Sequence, residues 1–101
     1  MKMQKNLTKN LLINIGAKSQ YYYGLTLLEQ EKLSEAISAL VRVRSVFGAY
    51  DEWFTKSLLK LGDTYVKLND KNNARDMYRA VLSRHQNNEW AREARTKLNN
   101  L

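Results

Sequence analysis

Two short stretches decide the fold: Tyr23-Gly24-Leu25-Thr26-Leu27 and Leu61-Gly62-Asp63-Thr64-Tyr65. Set one above the other, they place glycine on glycine, threonine on threonine, and an apolar or aromatic residue at each remaining core position. Continuing both lines brings Ser34-Glu35-Ala36 over Asn72-Asn73-Ala74, then Leu40 over Tyr78 and Val43 over Val81. One offset, 38 positions, aligns all of them without a gap, as Gly24 to Gly62 and Ala36 to Ala74 both show. Self-similarity at a period of a few tens of residues is the mark of stacked supersecondary units.

Each unit reads as a helical hairpin. In the first, helix A spans about 17–30 and helix B about 34–46, with Ala36, Ile37, Leu40 and Val43 forming a stripe of helical period. In the second, Phe54, Leu58, Leu61, Tyr65 and Leu68 step by threes and fours along helix A, and Ala74, Tyr78, Val81 and Leu82 along helix B. Asp70 is placed to cap the start of that helix B. A fifth helix, about 88–99, carries Trp90, Ala91, Ala94 and Leu98 on one side and Arg92, Glu93, Arg95 and Lys97 on the other, a composition suited to closing a stack against water.

The small residues have a physical role. Helix axes come within 8–10 Å only where side chains at the crossing are small. A glycine inside a helix costs about 0.8–1 kcal/mol relative to alanine. A glycine at the same place in both units therefore implies close packing that offsets this cost. The absence of proline among 101 residues, with only 4 glycines, favours helices and short turns over sheet hairpins.

On these residues the chain resembles the tetratricopeptide repeat family. The pattern is a small residue in mid helix A, a large one three residues on, alanine early in helix B and a large residue four later. Gly24, Leu27, Ala36 and Leu40 supply it once, and Gly62, Tyr65, Ala74 and Tyr78 supply it again. The tail Asn88–Leu98 is similar to the closing helix of bacterial envelope members, the outer-membrane-assembly lipoproteins and the coordinators of the Tol–Pal system. The resemblance implies an all-α fold of about two antiparallel hairpins and a closing helix, wound as a right-handed superhelix. It divides the chain into 1–16, a preceding partial helix or tail; 17–54, repeat 1; 55–88, repeat 2; and 89–101, the closing helix. The offset of 38 exceeds the family's usual 34. The excess falls in 47–52, as a longer loop or a helix A extended backward by a turn.

The same resemblance implies function: a protein-interaction scaffold, a piece of a larger repeat protein, that binds a partner on the concave face of the A helices. By position that face takes Lys18, Tyr21, Tyr22, Leu25 and Leu28 from the first unit, and Lys56, Leu59, Lys60, Asp63 and Lys67 from the second. Some members grip a terminal carboxylate there with lysine, arginine and asparagine. Lys56 and Lys60 match in part, but Asp63 stands where asparagine is expected, so no carboxylate clamp is assigned. Of Tyr21, Tyr22 and Tyr23, which point about 100° apart on a helix, Tyr23 is expected in the core.

Composition excludes several chemistries. Without cysteine there is no disulfide, thiol nucleophile or thiolate metal site. His85 is the one histidine and has no catalytic partner in the sequence; at a helix end it suits the negative pole of the dipole. Asp51-Glu52 fits the opposite pole, a helix start. No phosphate-binding glycine loop or nucleophile elbow occurs. The expectation is therefore no enzyme activity, no cofactor and no metal. The net charge of +7 favours anionic partners. A basic nucleic-acid-binding helical domain is the alternative reading, weakened because the arginines are scattered over several faces. The apolar Leu7, Leu11, Leu12 and Ile13 lack a neighbour in this pattern, which allows self-association through the N-terminal segment. No run is long enough to span a membrane, and no signal peptide is read. Location is open between the envelope, from the resemblance, and the cytoplasm.

Overall fold

The computed structural model describes the backbone over residues 2–101 and the side chains over residues 12–101. Five helices follow one another: α1 (Lys2–Glu29), α2 (Leu33–Val46), α3 (Asp51–Lys67), α4 (Lys71–Arg84) and α5 (Glu89–Asn99). No strand occurs among the described residues. The all-α hairpin architecture expected from the 38-residue repeat is the one observed. The chain divides into two compact units, Met1–Phe54 and Thr55–Leu101, with the boundary inside α3.

In unit 1 the buried positions of α1 are Ala17, Tyr21, Gly24 and Leu27, stepping by four, three and three. They meet Ala36, Ala39, Leu40 and Val43, the buried stripe of α2. Gly24 marks the close approach: a Cβ there would lie 2.7 Å from Leu40 Cδ2. Partly buried Leu28 packs on the cluster of Leu27, Ala36 and Ala39. The partial helix expected before residue 17 is continuous with helix A, because α1 runs unbroken from Lys2. The side chains of Leu7 and Leu11 lie outside the described residues. Leu12 and Ile15 are more than half and half exposed, respectively.

In unit 2 the core joins Leu58, Leu59 and Leu61 of α3, Ala74, Tyr78 and Val81 of α4, and Ala91 and Ala94 of α5. Gly62 repeats the device of Gly24, here against the Tyr78 ring.

Both hairpins turn by the same mechanism. Glu31 and Asn69, 38 residues apart, take left-handed backbone with φ of 59° and 61°. In the first turn Lys32 N–H donates to Leu27 O (2.9 Å) and Glu31 N–H to Leu28 O (3.0 Å). In the second, Asp70 N–H donates to Tyr65 O (2.8 Å) and Asn69 N–H to Val66 O (2.9 Å). This is the Schellman closure, which satisfies carbonyls left over at a helix end. The starts of the B helices differ. Asp70 accepts from Asn73 N–H, as expected, whereas Lys32 offers α2 no side-chain cap. The four-residue excess of the repeat resolves as a backward extension: α3 already begins at Asp51, with Asp51 and Glu52 in its positive first turn.

Candidate functional site

The expected partner-binding residues separate by burial. On α1, Lys18 and Tyr22 are exposed, and Leu25 and Leu28 are half-buried. Tyr21 is only 6% exposed and is a packing residue. Its ring lies 5.7 Å from that of Trp53, while Tyr22 meets both in edge-on geometry at 5.4 and 6.2 Å. Trp53 is fixed in turn by its indole N–H, which donates to Asn14 Oδ1 at 2.9 Å. The result is an aromatic cluster from the two helices, capped on its solvent side by Tyr22. Ile15 and Ala91 stand 38 positions either side of Trp53, so nothing in the repeat pattern signals this aromatic.

Tyr23, expected in the core, is 56% exposed. The correction follows from helical phase: Tyr21 packs on Trp53 and Gly24 on Leu40, and Tyr23, some 200° round the helix from Tyr21, falls on an open side of α1.

On α3, Lys67 is exposed and Lys56 and Lys60 are half-buried. Leu59 is 4% exposed and packs in the core of unit 2. Asp63 is engaged within unit 2. It accepts from the Tyr78 hydroxyl at 2.6 Å, and Lys97 Nζ of α5 lies 2.8 Å from both of its oxygens. Lys97 also reaches Glu93, one helical turn away, at 2.8 Å. Burial pushes the Tyr78 hydroxyl far above its ordinary value of 10.0, and the hydrogen bond and charge of Asp63 add to the effect. For Lys97, burial lowers the pKa, but the bonds to Asp63 and Glu93 outweigh it and the net shift is upward from 10.5. The carboxylate that sequence reading found in place of a clamp asparagine therefore ties α3 to α4 and α5. A shallow pocket of about 360 Å³ opens beside it, lined by Asp63, Val66, Tyr78, Lys97, Asn100 and Leu101.

His85 has a further role beyond its place at the helix end. It is the C-cap of α4, at the helix end as expected, but it is only 9% exposed and both ring nitrogens are bonded, so it also acts as a buried polar linker. Asn88 caps α5 by accepting from Ala91 N–H at 3.0 Å through Oδ1, which turns its amide N–H toward His85 Nδ1 at 2.8 Å. Nδ1 must then accept, the ring proton sits on Nε2, and Nε2–H donates to Thr55 Oγ1 at 2.9 Å. Trp90 packs edge-on against the imidazole, 4.8 Å between centroids. The one histidine thus links the start of unit 2 to the α4–α5 turn. Among the described residues no three His, Asp or Glu side chains gather to hold a metal.

The second hairpin carries the decisive comparison. Residues 56–88 match the family model for the tetratricopeptide repeat. The matched span runs from within α3 to the Asn88 cap and so takes in most of the α3–α4 hairpin. The first hairpin shares its alignment, its glycine contact and its turn. No curated protein matches the chain, and no solved structure does. The likeness of the tail to envelope proteins thus has no relative behind it.

Proposed function

We propose that this chain is a protein-interaction module whose contact surface includes the outward face of α1 around Lys18 and Tyr22. The tetratricopeptide repeat at 56–88 carries the reading, because repeats of this family serve as protein–protein scaffolds. The exposed part of the aromatic cluster supports the choice of face. Tyr22 is held by Tyr21 and Trp53 yet remains 49% exposed. A preordered, half-open aromatic presents large contact area at small cost in conformational entropy. Lys18 lies one turn before it, Leu25 follows three residues later, and Lys56, Lys60 and Lys67 give α3 a basic face of its own. The partner segment that suits Lys18, Tyr22 and Leu25 is acidic with an apolar or aromatic anchor.

Selection of binders from a displayed peptide library tests this. Enriched peptides should be acidic and contain such an anchor. Tyr22→Ser and Lys18→Glu should each weaken binding by about tenfold or more while leaving the melting temperature within a few degrees. Enrichment that ignores both substitutions would refute the choice of face. Unit 2 holds ten lysines and arginines against five acidic residues, so a random oligonucleotide belongs in the same assay. Oligonucleotide binding that persists at physiological salt would favour the nucleic-acid reading instead.

A further inference from the structure

The side of unit 1 that bears Tyr23 differs from its counterpart in the second repeat. Shifted by 38 residues, Ser19, Tyr23 and Thr26 correspond to Ser57, Leu61 and Thr64. The latter three are fully buried, whereas the former three are exposed. A repeat position built for packing is thus open in unit 1. It forms a groove of about 270 Å³ between α1 and α2, lined by Gln20, Tyr23, Glu35, Ser38, Ala39 and Arg42. Gln20 Nε2 spans its floor, donating to Ala39 O at 3.1 Å.

The charges on the rim say what fits. Glu35 and Arg42 lie seven residues apart, two helical turns, so they share a side of α2 about 10.5 Å apart along its axis. Both are exposed, and neither side chain has an ion pair or hydrogen bond with another described residue. Midway between them stand Ser38 and Ala39. The Ser38 hydroxyl folds back onto Ser34 O at 3.3 Å, so little stands out from the helix at that point.

We propose that a second copy of this chain docks in the groove across a two-fold axis beside Ser38 and Ala39, with Glu35 of each copy facing Arg42 of the other. Antiparallel α2 helices related by such an axis exchange positions 35 and 42, whereas a parallel pair would set glutamate against glutamate. A purely acidic or purely basic partner would satisfy one rim charge and oppose the other, so the bipolar groove favours its own complement. Tyr23 sits at the level of the axis, bracketed by the bond of Gln20 to Ala39 and by the packing of Gly24 on Ala39 and Leu40. The two tyrosines therefore cover the crossing from both sides. Helix α2, with 14 residues, offers about 21 Å of contact, at the small end of specific interfaces. The dimer is accordingly weak and reversible. This surface is separate from the face around Lys18 and Tyr22, and its test does not depend on that reading.

Sedimentation equilibrium of the full chain over a concentration series gives the answer. The wild type should show a monomer–dimer equilibrium that weakens as salt is raised. Glu35→Arg and Arg42→Glu each place like charges opposite one another twice per dimer and should raise the dissociation constant by about tenfold or more. The double variant restores the pairing and should recover association. Tyr23→Ser should weaken it, and all four proteins should melt like the wild type. A chain that stays monomeric throughout overturns the proposal, as does a folded double variant that fails to recover. So does a dimer indifferent to these changes but lost in Leu12→Ser/Ile15→Ser, which would place the contact on the N-terminal turns of α1.

Discussion

Replacing Gly62 by alanine sets helix propensity against packing, and the structure decides which wins. In an exposed helix the substitution would stabilise by about 0.8–1 kcal/mol. Here the added Cβ would fall 2.7 Å from Tyr78 Cζ and 2.8 Å from Cδ1, well inside van der Waals contact. The ring has little room to yield. It is 1% exposed, and its hydroxyl is held by Asp63 at 2.6 Å. Overpacking costs about 1–3 kcal/mol. Swinging the ring also weakens a hydrogen bond to a charged group, worth about 1.5–3 kcal/mol. The net expectation is a destabilisation of about 2–4 kcal/mol. At roughly 4–8 °C per kcal/mol for a domain of this size, the melting temperature followed by circular dichroism should fall by on the order of 10 °C or more. Gly24→Ala should cost less, because its neighbour Leu40 has rotamers to explore and no polar anchor. A double-mutant cycle isolates the contact: Gly62→Ala and Tyr78→Leu together should cost less than their separate effects combined. A Gly62→Ala protein that melts at or above the wild-type temperature, or strict additivity in the cycle, would refute the account of the hairpin contact.

Other expectations can be checked on the same melting curves. Glu31→Gly should stabilise by up to about 1 kcal/mol, since a left-handed conformation with φ of 59° is costly for a residue with a Cβ; Asn69→Gly should change little. Ser57→Ala should raise the melting temperature, because the Ser57 hydroxyl is fully buried and makes no hydrogen bond with any described residue. Stability should fall in alkali: Tyr78 and Lys97 both have folded pKa values raised above 10.0 and 10.5, so their contribution is complete below those values and is lost as pH rises past them toward the folded values. Tyr78→Phe should therefore lose less stability than the wild type between neutral pH and pH values above 10.

The repeat was legible in the chain itself. Gly24 and Gly62, Ala36 and Ala74, and Leu40 and Tyr78 recur at one offset because each hairpin must solve the same problem of bringing two helices close, and small residues at fixed places solve it locally. The Asp70 cap and the acidic start of α3 were legible for the same reason: both act within one helical turn. Tertiary structure alone decided the rest. Gln30-Glu31 and Leu68-Asn69 gave no shared sign of a turn, yet both close by the same Schellman bonds, since that closure uses backbone groups common to every residue. Whether Tyr21 or Tyr23 is buried depends on the phase of α1 against α2, which a 100° step makes unforgiving and which composition cannot supply. Position in the repeat alone puts Asp63, Leu59 and Tyr21 on the face of the A helices. Their packing comes from elsewhere: Asp63 bonds to Lys97 and Tyr78, Leu59 is buried in the core of unit 2, and Tyr21 lies against Trp53. Such contacts join residues far apart in sequence, and they are chosen by the folded geometry of side chains whose spacing carries no period to read.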